Sequence, residues 1–402
     1  MLASTITTVK ARPSLRLPGA SRGRLGYLLL AAVLGAVFLP ALLAAWPAEP
    51  PRRFAAPAPV ADGGVSAVYQ ERFIEPSPAM ATLHTPALVA LPGGDLLAVW
   101  KVGESGERGP IALRAATLAP GAAAWSGSRL LTSSHKSQRE LGRVVRTLAN
   151  PVALAEPDGT VRLFYVTAWA KWSTSALATK TSRDAGRTWS AARRIVAHPV
   201  GNLATMVKMA PVRFADGTVG LPGYHEFFGV FPQLLRISPE GELLDKARMG
   251  AGQTALQPSI VPLDDRRAVA LLRNALKGRV LLTRTRDGGI TWDPVQPSAL
   301  PNPNAPVMGL RLRDGAILAV FNNSPVSRDA LSLAVSRDGG GRWHVLHSFE
   351  SGERTPDGVP VNFSYPYVVQ AGDGVIHLVY VWRQHRVKHV AFNEVWLSER
   401  AR

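Results

Sequence analysis

The chain has no cysteine among its 402 residues, which excludes disulfides, thiolate nucleophiles, cysteine-ligated zinc and iron–sulfur clusters and is neutral on export. Acidic residues are scarce, 29 Asp plus Glu against 46 Lys plus Arg, for a net charge of +17. That balance favours polyanions such as nucleic acid, anionic lipid or acidic polysaccharide, although arginine spread over a solvated surface gives the same sum. Charge of either sign makes up only 19% of the chain, whereas hydrophobic residues are 46% and include 10 Trp and 12 Phe. So much apolar material excludes a mainly disordered protein. Also missing are a phosphate-cradling Gly-Lys loop, a dinucleotide fingerprint and an EF-hand spacing, so no cofactor is expected. No nucleic-acid module accompanies the basic residues, and no nucleic-acid partner is expected. His385 and His389 stand four apart in strand-like sequence without a third ligand, which argues for a surface loop rather than a metal site.

Long apolar runs are limited to one. Residues 26–46 (GYLLLAAVLGAVFLPALLAAW) carry no charge and, at ~1.5 Å per residue, suffice to cross a ~30 Å hydrocarbon layer as a helix. Lys10, Arg12, Arg16, Arg22 and Arg24 precede the run without an intervening acid. This asymmetry predicts a cytoplasmic tail over 1–25, one transmembrane helix over 26–46, and the remainder on the far side of the cytoplasmic membrane. A signal peptide processed among the small residues 41–48 is the competing reading. Residues 47–62 (PAEPPRRFAAPAPVAD) read as a stiff, extended tether.

From residue 80 onward one phrase recurs six times: an apolar run, an Asp-Gly turn or a relative of it, and a second apolar run. Its turns fall at Gly93, Asp158, Asp216, Asp265, Asp314 and Asp373, at intervals of 65, 58, 49, 49 and 59 residues. Two short apolar runs about such a turn are a hairpin. A period long enough for about four short strands marks a propeller blade, so residues 63–402 read as an all-β, six-bladed β-propeller. A β-sandwich with unrelated hairpins would not keep the period.

A second motif follows three of the turns. Ser182-Arg-Asp184-Ala-Gly186-Arg-Thr188-Trp189, Thr285-Arg-Asp287-Gly-Gly289-Ile-Thr291-Trp292 and Ser336-Arg-Asp338-Gly-Gly340-Gly-Arg342-Trp343 are copies of the Asp-box, with Arg342 where threonine is usual. The Asp accepts backbone N–H and hydroxyl bonds, the Gly supplies a positive φ, and the Trp fills the hydrophobic layer. These residues build the fold and are expected to lie away from the chemistry.

Hairpin geometry selects the mouth. A residue about eight before each turn and one about eight after it emerge at the same end. The first set is His84 and Thr85, Asn150, Lys208, Gln257, Pro306 and Tyr365. The second is Lys101, Val166, Tyr224, Arg273, Asn322 and Val381, followed by Trp382 and Arg383. So many Tyr, Arg, Lys, Asn and Gln at one rim predict a polar pocket on the axis.

With Asp-boxes on six blades, and with the phrases YHEFFGVFP (224–232), LPNPNAP (300–306) and FSYPYVVQ (363–370), the chain resembles the bacterial sialidase (neuraminidase) superfamily in its BNR-repeat branch over about residues 80–397. Such enzymes clamp a substrate carboxylate with three arginines, attack the anomeric carbon with a Glu-assisted Tyr, and protonate the leaving oxygen with an Asp. The resemblance implies Tyr365 as nucleophile and Arg273 and Arg328 as two of the clamp arginines. Two positions depart from it: the first Arg-x-Pro is His84-Thr85-Pro86, and the assisting Glu is Gln257, which cannot take a proton. The resemblance leaves His84 or Glu226 as the base, Glu104 or Glu107 as the acid, and an acidic glycan or exopolysaccharide as partner. Asn150, Lys208, Tyr224, Gln257, Asn322, Trp382 and Arg383 are the remaining candidates for substrate binding. Three activities stay open: an exo-glycosidase on a terminal acidic sugar, a uronate polysaccharide lyase, and a glycan-binding propeller without catalysis.

Overall fold

The computed structural model describes residues 26–36, 52–57, 60, 61, 64, 66–74, 81–104, 111–197, 202–227, 229–250 and 254–401. It divides into two units, 1–50 and 51–402. In the first, residues 26–36 are helical. Among the described residues no helix is long and apolar enough to cross a membrane; the second half of the expected span, 37–46, lies outside them, as does the basic tail 1–25.

The second unit is a six-bladed β-propeller of six antiparallel sheets. Blade 1 runs Ala81–Ala90, Leu96–Glu104, Ala112–Leu118, Arg129–Ser133, and blade 2 runs Thr147–Ala155, Val161–Ala168, Ala176–Ser182, Arg193–Ile195. Blade 3 has a divided inner strand, Thr205–Val207 and Val212–Arg213, then Val219–Phe227, Gly229–Ile237 and Leu243–Arg248. Blades 4 and 5 are Ala255–Pro262, Ala268–Asn274, Gly278–Thr285, Gln296–Asn302 and Met308–Arg311, Ile317–Asn322, Leu331–Ser336, His344–Glu350. Blade 6 takes Phe363–Gln370, Ile376–Trp382 and Arg386–Phe392 from the C-terminal end and its outer strand, Tyr69–Ile74, from the other end of the domain. This exchange closes the ring. Lys388 fastens it with ion pairs to Glu71 at 2.8 Å and to Glu350 at 2.9 Å.

Each sheet buries alternate faces against its neighbours, so the core is a set of inter-blade layers holding Trp100, Tyr165, Phe164, Phe321 and Tyr380. The Asp-boxes lie between the third and fourth strands of blades 2, 4 and 5 and lock each blade to the one before it. A Cβ on Gly186, Gly289 or Gly340 would come within 2.8 Å of a methyl of Leu97, Leu234 or Leu282. In blade 4, Asp287 accepts from the amides of Ile290 (3.0 Å) and Thr291 (2.9 Å) and from the hydroxyls of Thr285 (2.8 Å) and Thr291 (2.5 Å).

The tether reading needs a correction. Phe54 is buried, stacks on Phe214 at 5.3 Å, and donates its amide to Asp265 at 2.7 Å, while Ala55 donates to Arg213 at 2.8 Å. Residues 52–55 therefore belong to the propeller. The Pro/Ala composition concealed one aromatic anchor with a hydrophobic seat to fill. His389 is likewise not on a surface loop: it is fully buried in the third strand of blade 6, accepting from Trp125 Nε1 at Nδ1 (3.2 Å) and facing His377 at 3.1 Å.

Candidate active site

The inner strands of blades 1, 2, 4 and 6 share a local distortion at the mouth end. Each breaks register at an X-Pro pair, between His84 and Ala87, Ala149 and Val152, Leu256 and Ser259, and Ser364 and Tyr367. The residue before each proline, Thr85, Asn150, Gln257 or Tyr365, has a φ between 47° and 58°. A non-glycine residue there is strained, by about 1–3 kcal/mol, and proline disfavours helical conformations in its predecessor. One extra residue in a strand turns the following side chains to the opposite face. Four bulges thus re-aim these side chains, at a conformational cost that the surrounding sheets hold in place.

Around the axis the candidates form a chain of contacts that visits every blade. Asn150 Nδ2 donates to Tyr224 Oη at 3.0 Å, and Gln257 Nε2 donates to the same oxygen at 3.3 Å. Arg273 Nη1 donates to Gln257 Oε1 at 3.3 Å, and its Nε to Asn304 Oδ1 at 2.6 Å. Arg328 Nη2 donates to the Asn304 carbonyl at 2.5 Å, and its guanidinium lies over the Tyr365 ring, 5.7 Å from the centroid. Tyr365 meets His84 edge to face at 6.1 Å. Lys101 is the cross-strand partner of His84.

The arc is electropositive: two guanidiniums and the Lys101 ammonium face one another at the mouth. Burial disfavours the Arg273 charge, and Arg328 adds repulsion; neither guanidinium has an ion-pair partner among the described residues. Burial, reinforced by the charges of Lys101 and Arg328, pushes the His84 imidazole down to about 4. His84 is therefore neutral at neutral pH and keeps a lone pair. Burial raises the Glu226 carboxyl above the ordinary range, while Arg273 opposes the rise. Tyr224, fully buried and accepting two amide bonds, has its phenol pushed up, first by burial.

Other candidates stand elsewhere. Asn322 is fully buried and donates to the carbonyls of Arg328, Ala330 and Phe363, holding the Arg328 loop from behind. Lys208 lies beneath the mouth, donating to the Pro86 carbonyl at 3.2 Å with its ammonium over the Tyr367 ring at 5.2 Å, and burial pushes its pKa down to about 7. Trp382 packs on Phe73 at 5.3 Å, and Arg383 covers Trp382 and pairs with Glu353 on the outer rim. The Glu104 side chain and all of Glu107 lie outside the described residues. Asn304, with φ 63°, bridges Arg273 and Arg328. Its signal was the LPNPNAP phrase, in which asparagine suits a positive φ.

No curated protein matches the chain. Among solved structures, the NanB sialidase of Streptococcus pneumoniae is similar at 11% identity, covering 80% of this chain and 70% of its own, with a TM-score of 0.65. The intramolecular trans-sialidase of Ruminococcus gnavus is similar at 16% identity over 78% of this chain and 95% of its own, TM-score 0.63. An alpha-L-arabinanase of Penicillium chrysogenum is similar at 14% identity, over 83% and 99%, TM-score 0.59. Likeness at such identities shows the fold alone. Residues 94–378 match the family model described as BNR repeat-like domain, and the chain belongs to that family.

Proposed function

We propose that the protein is a sialidase-like exo-glycosidase that hydrolyses a terminal acidic sugar, sialic acid or a relative, from a glycan or exopolysaccharide. The reading is carried by Tyr365 set between the Arg328 guanidinium and the neutral His84 ring. Arg273 and Arg328 receive the sugar carboxylate on the N–H groups that Gln257 and Asn304 leave unused, in the two-point geometry suited to guanidinium. Tyr365 attacks the anomeric carbon while His84 takes its proton, in place of the carboxylate that Gln257 lacks. A phenol is not repelled by the substrate carboxylate as an anionic nucleophile would be. Glu104 or Glu107 protonates the departing oxygen. Water then cleaves the glycosyl–tyrosine bond and restores the phenol.

The same proposal places the propeller outside the cytoplasmic membrane, anchored through residues 26–46. Its support is the uncharged run and the five basic residues before it. Protease added to intact spheroplasts is expected to digest the propeller; full protection overturns this placement.

A second reading, a uronate lyase, is favoured by the neutral imidazole beside Tyr365 and the absence of a carboxylate at Gln257. In that reaction the base removes the proton next to the carboxylate and the leaving oxygen departs without water. The deciding experiment incubates the full chain with acidic glycans and analyses the released mass. A free acidic sugar formed with addition of water supports the hydrolase. An unsaturated, ultraviolet-absorbing product transfers the site to the lyase reading. Saturable binding with no product after long incubation leaves a binding propeller.

A further inference from the structure

The tryptophans of this domain are buried or half-buried with two exceptions among the described residues, Trp169 at 47% exposure and Trp172 at 42%. Both stand on the loop between the second and third strands of blade 2, at the mouth end. An exposed indole presents a large apolar face to water, and such faces set together mark binding surfaces. The loop is built rather than loose. Thr174 Oγ1 accepts the Ala170 amide at 3.0 Å and donates to the Lys171 carbonyl at 2.8 Å, and the Ser175 amide closes on the Trp172 carbonyl at 2.9 Å. The short 3-10 turn Trp172–Thr174 rests against Val219–Phe227 of blade 3, whose exposed Phe227 adds a third aromatic to this sector.

Charge selects the ligand. The Lys101 ammonium lies over the Trp172 ring at 5.9 Å, and exposed Lys171 stands between the two tryptophans. Lys101 is also the cross-strand partner of His84. The surface is therefore continuous with the arc around Tyr365, passing from Trp172 through Lys101 to His84 without leaving the rim. Flat apolar faces interleaved with ammonium groups match a pyranose ring bearing a carboxylate, which offers C–H bonds to an indole and an anion to a lysine.

We propose that Trp169, Trp172 and Lys101 form a second sugar-binding subsite, which holds the next acidic residues of a glycan whose terminal residue sits against Arg273 and Arg328. The proposal rests on the functional reading above for the position of that terminal residue. It makes the protein selective for chains over single sugars and for acidic chains over neutral ones.

The test measures binding to the full chain by tryptophan fluorescence and calorimetry. The probes are N-acetylneuraminic acid with its α2,8-linked tetramer, galacturonic acid with its tetramer, and neutral maltotetraose. An acidic tetramer is expected to bind about 10-fold or more tightly than its own monomer, and maltotetraose weakly. Trp172→Ala, an exposed change that leaves the melting temperature in place, is expected to reduce the tetramer to monomer affinity while the monomer is unaffected. Trp169→Ala is expected to remove part of the increment. Arg273→Ala lowers monomer and tetramer by the same factor, so the ratio survives; an unchanged monomer in that variant overturns the clamp and not the subsite. The subsite is overturned by a tetramer-to-monomer ratio that persists in the Trp169/Trp172 double variant, by a ratio near one in the unaltered protein for both acidic series, or by equal binding of maltotetraose.

Discussion

The two ends of the propeller solve the same backbone problem with opposite chemistry. At the Asp-box end the positive-φ positions include Gly186, Gly289 and Gly340, and the polar groups satisfy one another within eight residues. At the mouth the positive-φ positions include Thr85, Asn150, Gln257 and Tyr365, each held before a proline. There Thr85 Oγ1, Asn322 Oδ1 and Tyr367 Oη are buried without a partner among the described residues, and Lys208 is buried with its pKa lowered by burial alone. One end repeats the same local turn; at the other, every blade contributes something different. At the mouth, strain and unsatisfied polarity stand where a ligand can answer them.

The largest effect expected from breaking this contrast lies at the mouth. Tyr365→Phe removes the oxygen proposed to attack while leaving the bulge, the ring over which Arg328 lies and the contact with His84. Turnover on the glycan identified by product analysis is expected to fall about a thousand-fold or more, with the melting temperature unchanged. Full turnover in this variant would remove Tyr365 from the chemistry.

Asp287→Ala is the matching change at the other end. It strands the amides of Ile290 and Thr291 and two hydroxyls, at an expected cost of about 2–3 kcal/mol in denaturant unfolding, with KM unaltered. Burial raises the Asp287 carboxyl, but the bonds from Thr291 and Thr285 outweigh it and leave its pKa below the ordinary value. Its contribution is therefore present above the unfolded carboxylate pKa, near 4, and lost as pH falls through the lower folded value. The variant should accordingly lose the acid-induced part of unfolding that the unaltered box shows. A drop in kcat at constant stability would contradict the separation of the two ends.

Lys208 tests the mouth end by stability instead of rate. Its folded pKa, near 7, lies below the unfolded 10.5, so the unfolded chain binds the proton more readily between these values and stability rises with pH across that window. Below 7 the burial cost is felt in full. Lys208→Met, similar in length and uncharged, is expected to be about 1–2 kcal/mol more stable than the natural protein at pH 6, an advantage that shrinks toward pH 10. It is also expected to be less active, because Lys208 reaches from blade 3 to Pro86 and Tyr367, the residues that follow the bulges carrying His84 and Tyr365. A variant less stable at pH 6 and indifferent to pH would show the ammonium to be well compensated.

The contrast between the ends also explains what the sequence could reveal. Hairpin turns and Asp-boxes are local: each is complete within a few residues, so six blades could be counted and Gly289 or Trp292 given a role from the string alone. Pairing of positions on either side of a turn is local too, which brought His84, Asn150, Gln257, Arg273 and Tyr365 to one rim. Features made by closure were hidden. Strand Tyr69–Ile74 joins a sheet more than 300 residues away, Phe54 seats against Phe214, and Asn304 acquires its place by joining two arginines from different blades. Lys208 and Asn322 sat at rim positions in the string, yet both are fully buried, because Lys208 is covered by Pro86 and Tyr367 and Asn322 by the Arg328 loop and Phe363, neighbours that come from other blades or loops.

The smallest expected effect sharpens the Asp-box end. In the first two Asp-boxes the threonine hydroxyl donates to the carboxylate, Thr188 to Asp184 at 2.6 Å and Thr291 to Asp287 at 2.5 Å. In the third, Asp338 receives the Arg342 amide at 2.9 Å but no side-chain donor at that position, since arginine stands where the hydroxyl would be. Everything else in the turn is kept: Ser336 donates to Asp338 at 2.8 Å, the Gly340 amide to Ser336 at 2.9 Å, and Trp343 Nε1 to the Gly340 carbonyl at 3.1 Å. The site for a threonine hydroxyl is thus already formed, and the backbone needs no adjustment. Arg342→Thr supplies one hydrogen bond at an exposed position, where competition with water limits the gain. Stability is expected to rise by about 0.5 kcal/mol, a shift of about 1–2 °C in melting temperature, with turnover unchanged. A loss of stability would mean that the Arg342 side chain contributes more to this turn than the hydroxyl it displaces, and that the three boxes are not equivalent units.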